Sequence, residues 1–165
     1  MQSDSHEPRT IRATSRDDHA TRTESPTSSR SHVMQIQSIT PIVTTRDLPA
    51  VRDFYVAHFG FELSFDHPHY VGLRAGPSGA PELGFMLPDD MAPDAFDGRG
   101  ACFAFRVPDV DLAHAALKRS GAPILQPPTD QPWGARMLIT RDPAGVTLFV
   151  SHPIPIAPEL AASVR

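Results

Sequence analysis

The chain has 165 residues, 40% of them hydrophobic, which suits one globular domain with an apolar core. Its formal net charge is −4, and it has no basic stripe interleaved with aromatic residues, so nucleic acid is not expected as a partner. The single cysteine, Cys102, excludes an intramolecular disulfide, and no apolar run reaches the roughly 18 residues needed to span a bilayer. With no apolar signal segment at the N-terminus, a cytoplasmic protein without a membrane partner is expected.

Residues 1–33 differ in composition from the rest of the chain. They are rich in Ser, Thr, Arg and Asp and contain no Leu, Phe, Tyr or Trp. Such a segment buries too little apolar area to offset its ordering entropy, which predicts a disordered N-terminal tail. Met34 stands directly before the first strand-like run, and we hypothesise that it is the true start of the protein.

The first predicted module spans residues 34–88. Alternating apolar residues predict a strand over 35–43, and Asp47 is expected to cap a helix that Gly60 ends. Three further strands are predicted at 61–65, 70–74 and 82–87, the first two of them joined through His67-Pro68-His69. This order is a βαβββ unit.

Residues 88–99, rich in proline, glycine and acids, predict a linker to a second module at 100–153. Its pattern repeats the first: a strand over 102–107, an Asp109-capped helix that ends at Gly121, and later strands. The later segments are listed in order as a short strand at 124–125, a loop at 126–134, a strand at 136–140, a turn at 142–145 and a strand at 146–151. Residues 154–165 are expected to form a C-terminal arm that packs on a neighbouring molecule.

Strand alternation predicts which side chains cover the helices and which face a cleft shared by the two modules. A slip of one residue would reverse the assignment in any strand. The expected cleft residues are Thr40, Ile42, Thr44, Tyr70, Arg74, Glu82, Gly84, Met86, Cys102, Ala104, Arg106, Thr147, Phe149 and Ser151.

Several of these side chains suit ligand binding. Tyr70, Trp133 and Phe149 offer flat area on which a planar ligand stacks, although Trp133 equally suits holding its own loop to the sheet. Three arginines could recognise a carboxylate or phosphate, and at least one is expected to pair only with Glu82 or Asp66. The ligand-binding set predicted from the sequence is Thr40, Tyr70, Arg74, Met86, Cys102, Arg106, Trp133, Arg136 and Phe149.

Glu82 is the one candidate for a catalytic role. Burial beside apolar side chains would raise its pKa and suit a general base, whereas a glutamate at a strand edge in water would have no such role. His67 and His69 lie on one face of an extended chain and could bind a metal together with Glu82. The alternative is a polar turn.

The second module closes with Gln131-Pro132-Trp133-Gly134-Ala135-Arg136, then Thr140-Arg141-Asp142-Pro143-Ala144-Gly145 and an apolar strand. With the repeated plan, these motifs resemble the vicinal oxygen chelate superfamily of glyoxalases, bleomycin-resistance proteins and extradiol dioxygenases. The resemblance covers roughly residues 36 to 153. It implies an α+β fold in which two βαβββ modules form one cleft, in a homodimer.

The resemblance also identifies where metal-dependent members carry His, Gln and Glu ligands. Those positions become Thr40, either Glu82 or Gly84, Cys102 and Phe149. Phe149 has no donor atom, Thr40 is a poor neutral ligand, and a thiolate suits soft metals. One carboxylate and one thiol fall short of the three protein ligands of a catalytic site. No cofactor is therefore predicted, and a divalent metal remains the alternative.

Three functional hypotheses follow. The first is a metal-independent protein of the bleomycin-resistance-like branch that sequesters a planar or anionic small molecule, including an antibiotic. The second is a metal-dependent lyase, isomerase or dioxygenase of the same superfamily. The third is a non-catalytic dimeric interaction protein. One fold serves all three, so the side chains of the site have to distinguish them.

Overall fold

The computed structural model of the protein describes residues 36–163, so the predicted tail 1–33 and the hypothesis about Met34 lie outside the described residues. The described elements are, in chain order, β1 (Ile42–Thr44), α1 (Leu48–Phe59), β2 (Glu62–His67), β3 (Tyr70–Arg74), β4 (Glu82–Met86), β5 (Cys102–Arg106), α2 (Val110–Arg119), β6 (Ile124–Gln131), β7 (Ala135–Arg141), β8 (Thr147–Pro153) and a 3₁₀ helix (Pro158–Ser163). Between residues 36 and 163, no helix is long and apolar enough to cross a membrane.

The strands form two four-stranded sheets, one from each module. Sheet A has the order β1-β4-β3-β2, and sheet B has the matching order β5-β8-β7-β6. In each sheet the first strand of the module runs parallel to the last, and the other neighbours are antiparallel. The predicted α+β fold of two βαβββ modules is therefore confirmed.

The helices begin where the sequence predicts. The Asp47 carboxylate accepts a hydrogen bond from the Ala50 amide at 2.9 Å, and Gly60 ends α1 in the left-handed conformation at φ 67°. Asp109 accepts hydrogen bonds from the Asp111 and Leu112 amides at the start of α2. These caps satisfy amides that have no partner within the helix.

The core lies between each helix and one face of its sheet. α1 buries Leu48, Val51, Phe54 and Tyr55, and the same cluster contains apolar residues of β3 and β4 together with Val146 and Leu148 of the second module. α2 buries Val110 and Leu117 against Leu138 and Val150. Each such side chain contributes about 1.5–3 kcal/mol through removal of apolar surface from water.

Tyr55 joins the two modules. Its ring is fully buried, and its hydroxyl donates to Asp142 Oδ2 at 2.9 Å across a separation of 87 residues. Its ring centroid lies 6.4 Å from that of Phe105, and Phe59 lies 5.4 Å from Phe105. The first helix therefore packs on side chains of both sheets.

Two strands differ from the sequence prediction. β1 covers only Ile42–Thr44, because residues 36–41 have no ladder partner among the described residues apart from the Pro41 carbonyl, which accepts from Gly84. β6 runs over Ile124–Gln131, although 126–134 was predicted as a loop. It is an edge strand with shifted register, so Pro127 and Pro128 break no essential ladder bond.

The segment after β8 contacts its own chain. The Ile154 amide donates to the Gly134 carbonyl at 3.0 Å, and the Ala157 amide donates to the Pro132 carbonyl at 2.9 Å. Gly134 has φ 90°, and a Cβ there would collide with Ile156. These contacts hold the tip of the β6–β7 hairpin in place. That the arm 154–165 packs on a neighbouring molecule stays a prediction.

Candidate functional site

Each sheet has one face covered by its helix and one without a helix, which we call its open face. Burial of Val71, Leu73, Leu83 and Phe85 assigns the alternate residues of β3 and β4 to the open face of sheet A, as predicted. The pairing register extends this face to both edges. The open face of sheet A comprises Ile42, Thr44, Glu62, Phe65, His67, Tyr70, Gly72, Arg74, Glu82, Gly84 and Met86.

Two glycines occupy the centre of this face. Gly72 and Gly84 are paired directly across β3 and β4. A Cβ at Gly84 would lie 2.5 Å from the Tyr70 hydroxyl and 3.0 Å from Ile42 Cγ1, so the Tyr70 ring crosses the sheet close to the backbone. Phe65 lies beside it at a centroid distance of 5.9 Å, with 54% of its surface exposed. The two rings are inclined at 60° to each other and form an aromatic patch directed away from the core.

One end of the same face is acidic. Arg74 Nη2 lies 3.2 Å from Glu62 Oε2, and Arg74 Nη1 lies 4.0 Å from Glu82 Oε1. Its Nε also donates to the Gly76 carbonyl at 2.8 Å. Arg74 thus forms ion pairs with Glu62 and with the predicted partner Glu82. Glu82 is half-buried beside the Arg74 guanidinium group.

The open face of sheet B has a different character. In the pairing register, Ala104, Phe149 and Ile139 form its central apolar row, and Arg106, Ser151 and Met137 form the next row. The full set is Cys102, Ala104, Arg106, Gln126, Thr129, Gln131, Ala135, Met137, Ile139, Arg141, Thr147, Phe149, Ser151 and Pro153. Within residues 36–163, this set contains two arginines and no carboxylate, and neither arginine forms an ion pair.

A groove of about 640 Å³ runs between the modules along the free edge of β5. Its walls are mainly apolar, and it brings together four expected cleft residues from both modules. These four are Glu82, Cys102, Ala104 and Arg106. Tyr70, Arg74, Met86 and Phe149 lie on the open faces outside this groove.

Three predicted ligand-binding residues lie elsewhere. Thr40 is exposed and precedes β1, and Trp133 is 56% exposed at the β6–β7 hairpin tip. Arg136 is on the helix-covered face of sheet B, where it donates twice to Asp111 at 2.8 and 2.9 Å and once to Asp130 at 2.7 Å. Hydrogen bonding to Asp111 raises the pKa of Arg136, and the same bonds lower the pKa of Asp111. Arg136 is therefore not available to a ligand on the open face.

The metal candidates do not converge. His67 and Tyr70 are paired at one end of β3, whereas Glu82 is paired with Arg74 at the other end. The rings of His67 and His69 are 5.7 Å apart in an exposed turn. No group of three or more His, Cys, Asp or Glu side chains suited to a metal occurs within residues 36–163. The described donors therefore do not supply the three protein ligands that a catalytic divalent metal needs.

The expected cleft set lacked several residues of the open faces, and these include Phe65, Met137, Ile139 and Arg141. Met137, Ile139 and Arg141 alternate along β7, so the strand pattern alone could have identified them. Phe65 could not be found in this way, because the register of β2 shifts between Leu63 and Phe65.

A family model described as the Glyoxalase/Bleomycin resistance protein/Dioxygenase superfamily matches residues 10–150. No curated protein matches the chain.

Several solved structures share the fold. A glyoxalase/bleomycin resistance protein/dioxygenase from Nocardioides is 23% identical, with 75% of this chain and 87% of that chain covered and a TM-score of 0.64. TnmS3, described as an antibiotic binding protein from Streptomyces sp. CB03234, is 29% identical, with 74% and 99% covered and a TM-score of 0.59. A superfamily member from Sphaerobacter thermophilus DSM 20745 is 24% identical, with 73% and 99% covered and a TM-score of 0.59.

Proposed function

Because the chain belongs to the glyoxalase/bleomycin resistance protein/dioxygenase superfamily, we propose that it binds a planar small molecule on its open sheet faces without a metal and without chemical conversion. The observation that carries this proposal is the Tyr70 ring, which lies over Gly84 beside Phe65. A flat ligand can stack on such a surface and remove apolar area from water.

The rest of the molecule supports binding over catalysis. The donors at the family's metal positions do not fit a divalent ion, and the Glu82 carboxylate, although it lines a mainly apolar groove, lies 4.0 Å from the Arg74 guanidinium group. The 29% identical TnmS3 is described as an antibiotic binding protein, which makes sequestration of an antibiotic-like molecule a reasonable function for this chain. No specific arrangement of the described residues favours the lyase, isomerase or dioxygenase alternative.

We also propose that the protein works as a homodimer. Ile42 and Phe65 on the open face of sheet A are each 54% exposed, and Leu125 at the edge of sheet B is 53% exposed. A second copy that packs around these residues would enclose the ligand between the two chains, exclude water from it and strengthen stacking.

The test is fluorescence titration of the full chain with N-phenylnaphthylamine, a neutral planar dye. Tyr70→Ala and Phe149→Ala should each weaken binding about fivefold to tenfold, since loss of one aromatic contact costs about 1 kcal/mol. Leu112→Ala is the matched control, because Leu112 is an apolar side chain on α2 with 70% exposure. Unchanged affinity in both aromatic variants would refute the proposed binding surface.

Two further measurements separate binding from catalysis. We expect dye affinity to be the same before and after treatment with a chelator, and the dye to be recovered chemically unchanged. A metal-dependent signal, or a converted product, would instead support the enzyme alternative.

A further inference from the structure

We propose that Arg106 selects ligands with an anionic group, and that this group lies at the Arg106–Ser151 end of the open face of sheet B. The proposal rests on the proposed small-molecule binding and adds the charge of the ligand and the residue that recognises it.

Arg74 and Arg136, the other two predicted arginines, already form ion pairs, so Arg106 is the candidate for binding an anionic group. Arg74 contacts two carboxylates and a carbonyl, and Arg136 is held by Asp111 and Asp130. Both guanidinium groups would have to break existing contacts before they could bind a ligand. Arg106 is exposed, and no ion pair involves it among the described residues.

The surroundings of Arg106 suit an anion attached to an apolar body. Ser151 is its direct partner across β5 and β8, so the Ser151 hydroxyl and the Arg106 side chain leave the sheet on the same face. The next row along the sheet contains Ala104, Phe149 and Ile139, which provides apolar contact for a ring system. Arg106 also lines the groove between the modules. Glu82 is the acidic residue of that groove, and it is already 4.0 Å from Arg74.

Arg141 provides an internal comparison. It is also exposed and on the open face of sheet B, but it lies at the opposite end, in the row of Cys102 and Thr147. It does not line the groove. Binding of an anionic ligand that contacts both the groove and the central apolar row should therefore depend on Arg106 and not on Arg141.

The net charge of the protein argues against non-specific attraction as the cause of a preference for anionic ligands. The chain carries a formal net charge of −4, so its long-range field repels an anion. A preference for an anionic ligand must then come from local donors. A charge-assisted hydrogen bond to a guanidinium group is stronger than a neutral one and favours oxygen anions such as carboxylate or sulfonate.

The experiment compares two dyes with the same rings, anilinonaphthalene sulfonate and neutral N-phenylnaphthylamine, on the full chain. The wild type should bind the sulfonate dye about tenfold more tightly, and Arg106→Gln should reduce the ratio of the two affinities to about one. Arg106→Lys should retain part of the preference because it keeps the charge. Arg141→Gln should keep the wild-type ratio.

Equal affinity of the wild type for the two dyes would overturn the proposal, as would loss of the preference in Arg141→Gln but not in Arg106→Gln. Failure of the proposed function gives a different result: neither dye binds, or Tyr70→Ala and Phe149→Ala leave binding of the neutral dye unchanged. The ratio of the two affinities therefore reports on Arg106, and the affinity for the neutral dye reports on the stacking surface.

Discussion

At the scale of single residues, Asp142 is the most unusual group in the molecule. It is a carboxylate with 4% exposure, and it accepts hydrogen bonds from the Tyr55 hydroxyl and the Val146 amide. Burial raises the pKa of Asp142, and the hydrogen bonds only partly oppose this effect. The same burial, together with the charge of Asp142, raises the pKa of Tyr55, which therefore stays protonated.

The hydroxyl of Tyr55 should matter for stability. Tyr55→Phe keeps the ring but leaves one oxygen of Asp142 without its buried donor, so we expect the free energy of unfolding to fall by about 1–3 kcal/mol. Chemical denaturation measures the change. A loss below about 0.3 kcal/mol, which is smaller than the usual effect of a lost hydrogen bond, would show that water replaces the hydroxyl.

The raised pKa of Asp142 also predicts a dependence on pH. Since the folded state holds this proton more tightly than the unfolded state does, the contribution of Asp142 to stability is present at low pH and is lost as pH rises through the raised pKa. Asp142→Asn has no such proton to lose. The wild type should therefore lose stability relative to Asp142→Asn as pH rises from about 4 towards neutral. A constant difference between the two proteins would contradict the pKa direction.

At the scale of secondary structure elements, α2 is attached to the last strand through its N-terminus. The Val110 amide donates to His152 Nδ1 at 2.9 Å, next to the Asp109 cap. This contact satisfies an amide that has no partner within the helix. His152 is also the strand partner of Arg136, which binds Asp111 on the same helix. The side chains of His152, Arg136 and Asp111 thus connect the start of α2 to sheet B.

Removal of the His152 acceptor should loosen this connection. His152→Ala should lower the free energy of unfolding by about 0.5–2 kcal/mol and speed hydrogen exchange of the Val110 amide. His152→Asn is the matched control, because its side-chain oxygen can accept the same hydrogen bond. If both variants exchange at the same increased rate, the ring matters through packing and not as an acceptor.

The edges of the elements show the limits of sequence patterns. Capping residues and glycines predicted both helices closely, because these signals act within a few residues. β6 was underestimated because its prolines indicate a loop, and only its position at the sheet edge makes them tolerable. β1 was overestimated because alternation at residues 36–41 does not supply a neighbouring strand.

At the scale of the whole molecule, the proposed homodimer is the property to measure first. Sedimentation of the full chain at micromolar concentration should give twice the 18.0 kDa mass of one chain. Exposed apolar side chains on the open face of sheet A, such as Ile42 and Phe65, provide the physical reason. A monomer that still binds the neutral dye would show that one chain contains a complete site, and it would refute the homodimer.

The sequence by itself determined the two modules, their helices, the family and the side of β1, β3, β4, β5 and β8 that faces away from the helix, because these depend on local periodicity, caps and turns. Only the tertiary structure decided which arginines are available. Arg136 meets Asp111 from 25 residues away, and Arg74 meets Glu62 from 12 residues away, whereas Arg106 meets no carboxylate among the described residues. Ion pairs form over a few ångströms between strands and helices that are distant in sequence, and the placement of Tyr70 over Gly84 likewise depends on a neighbouring strand.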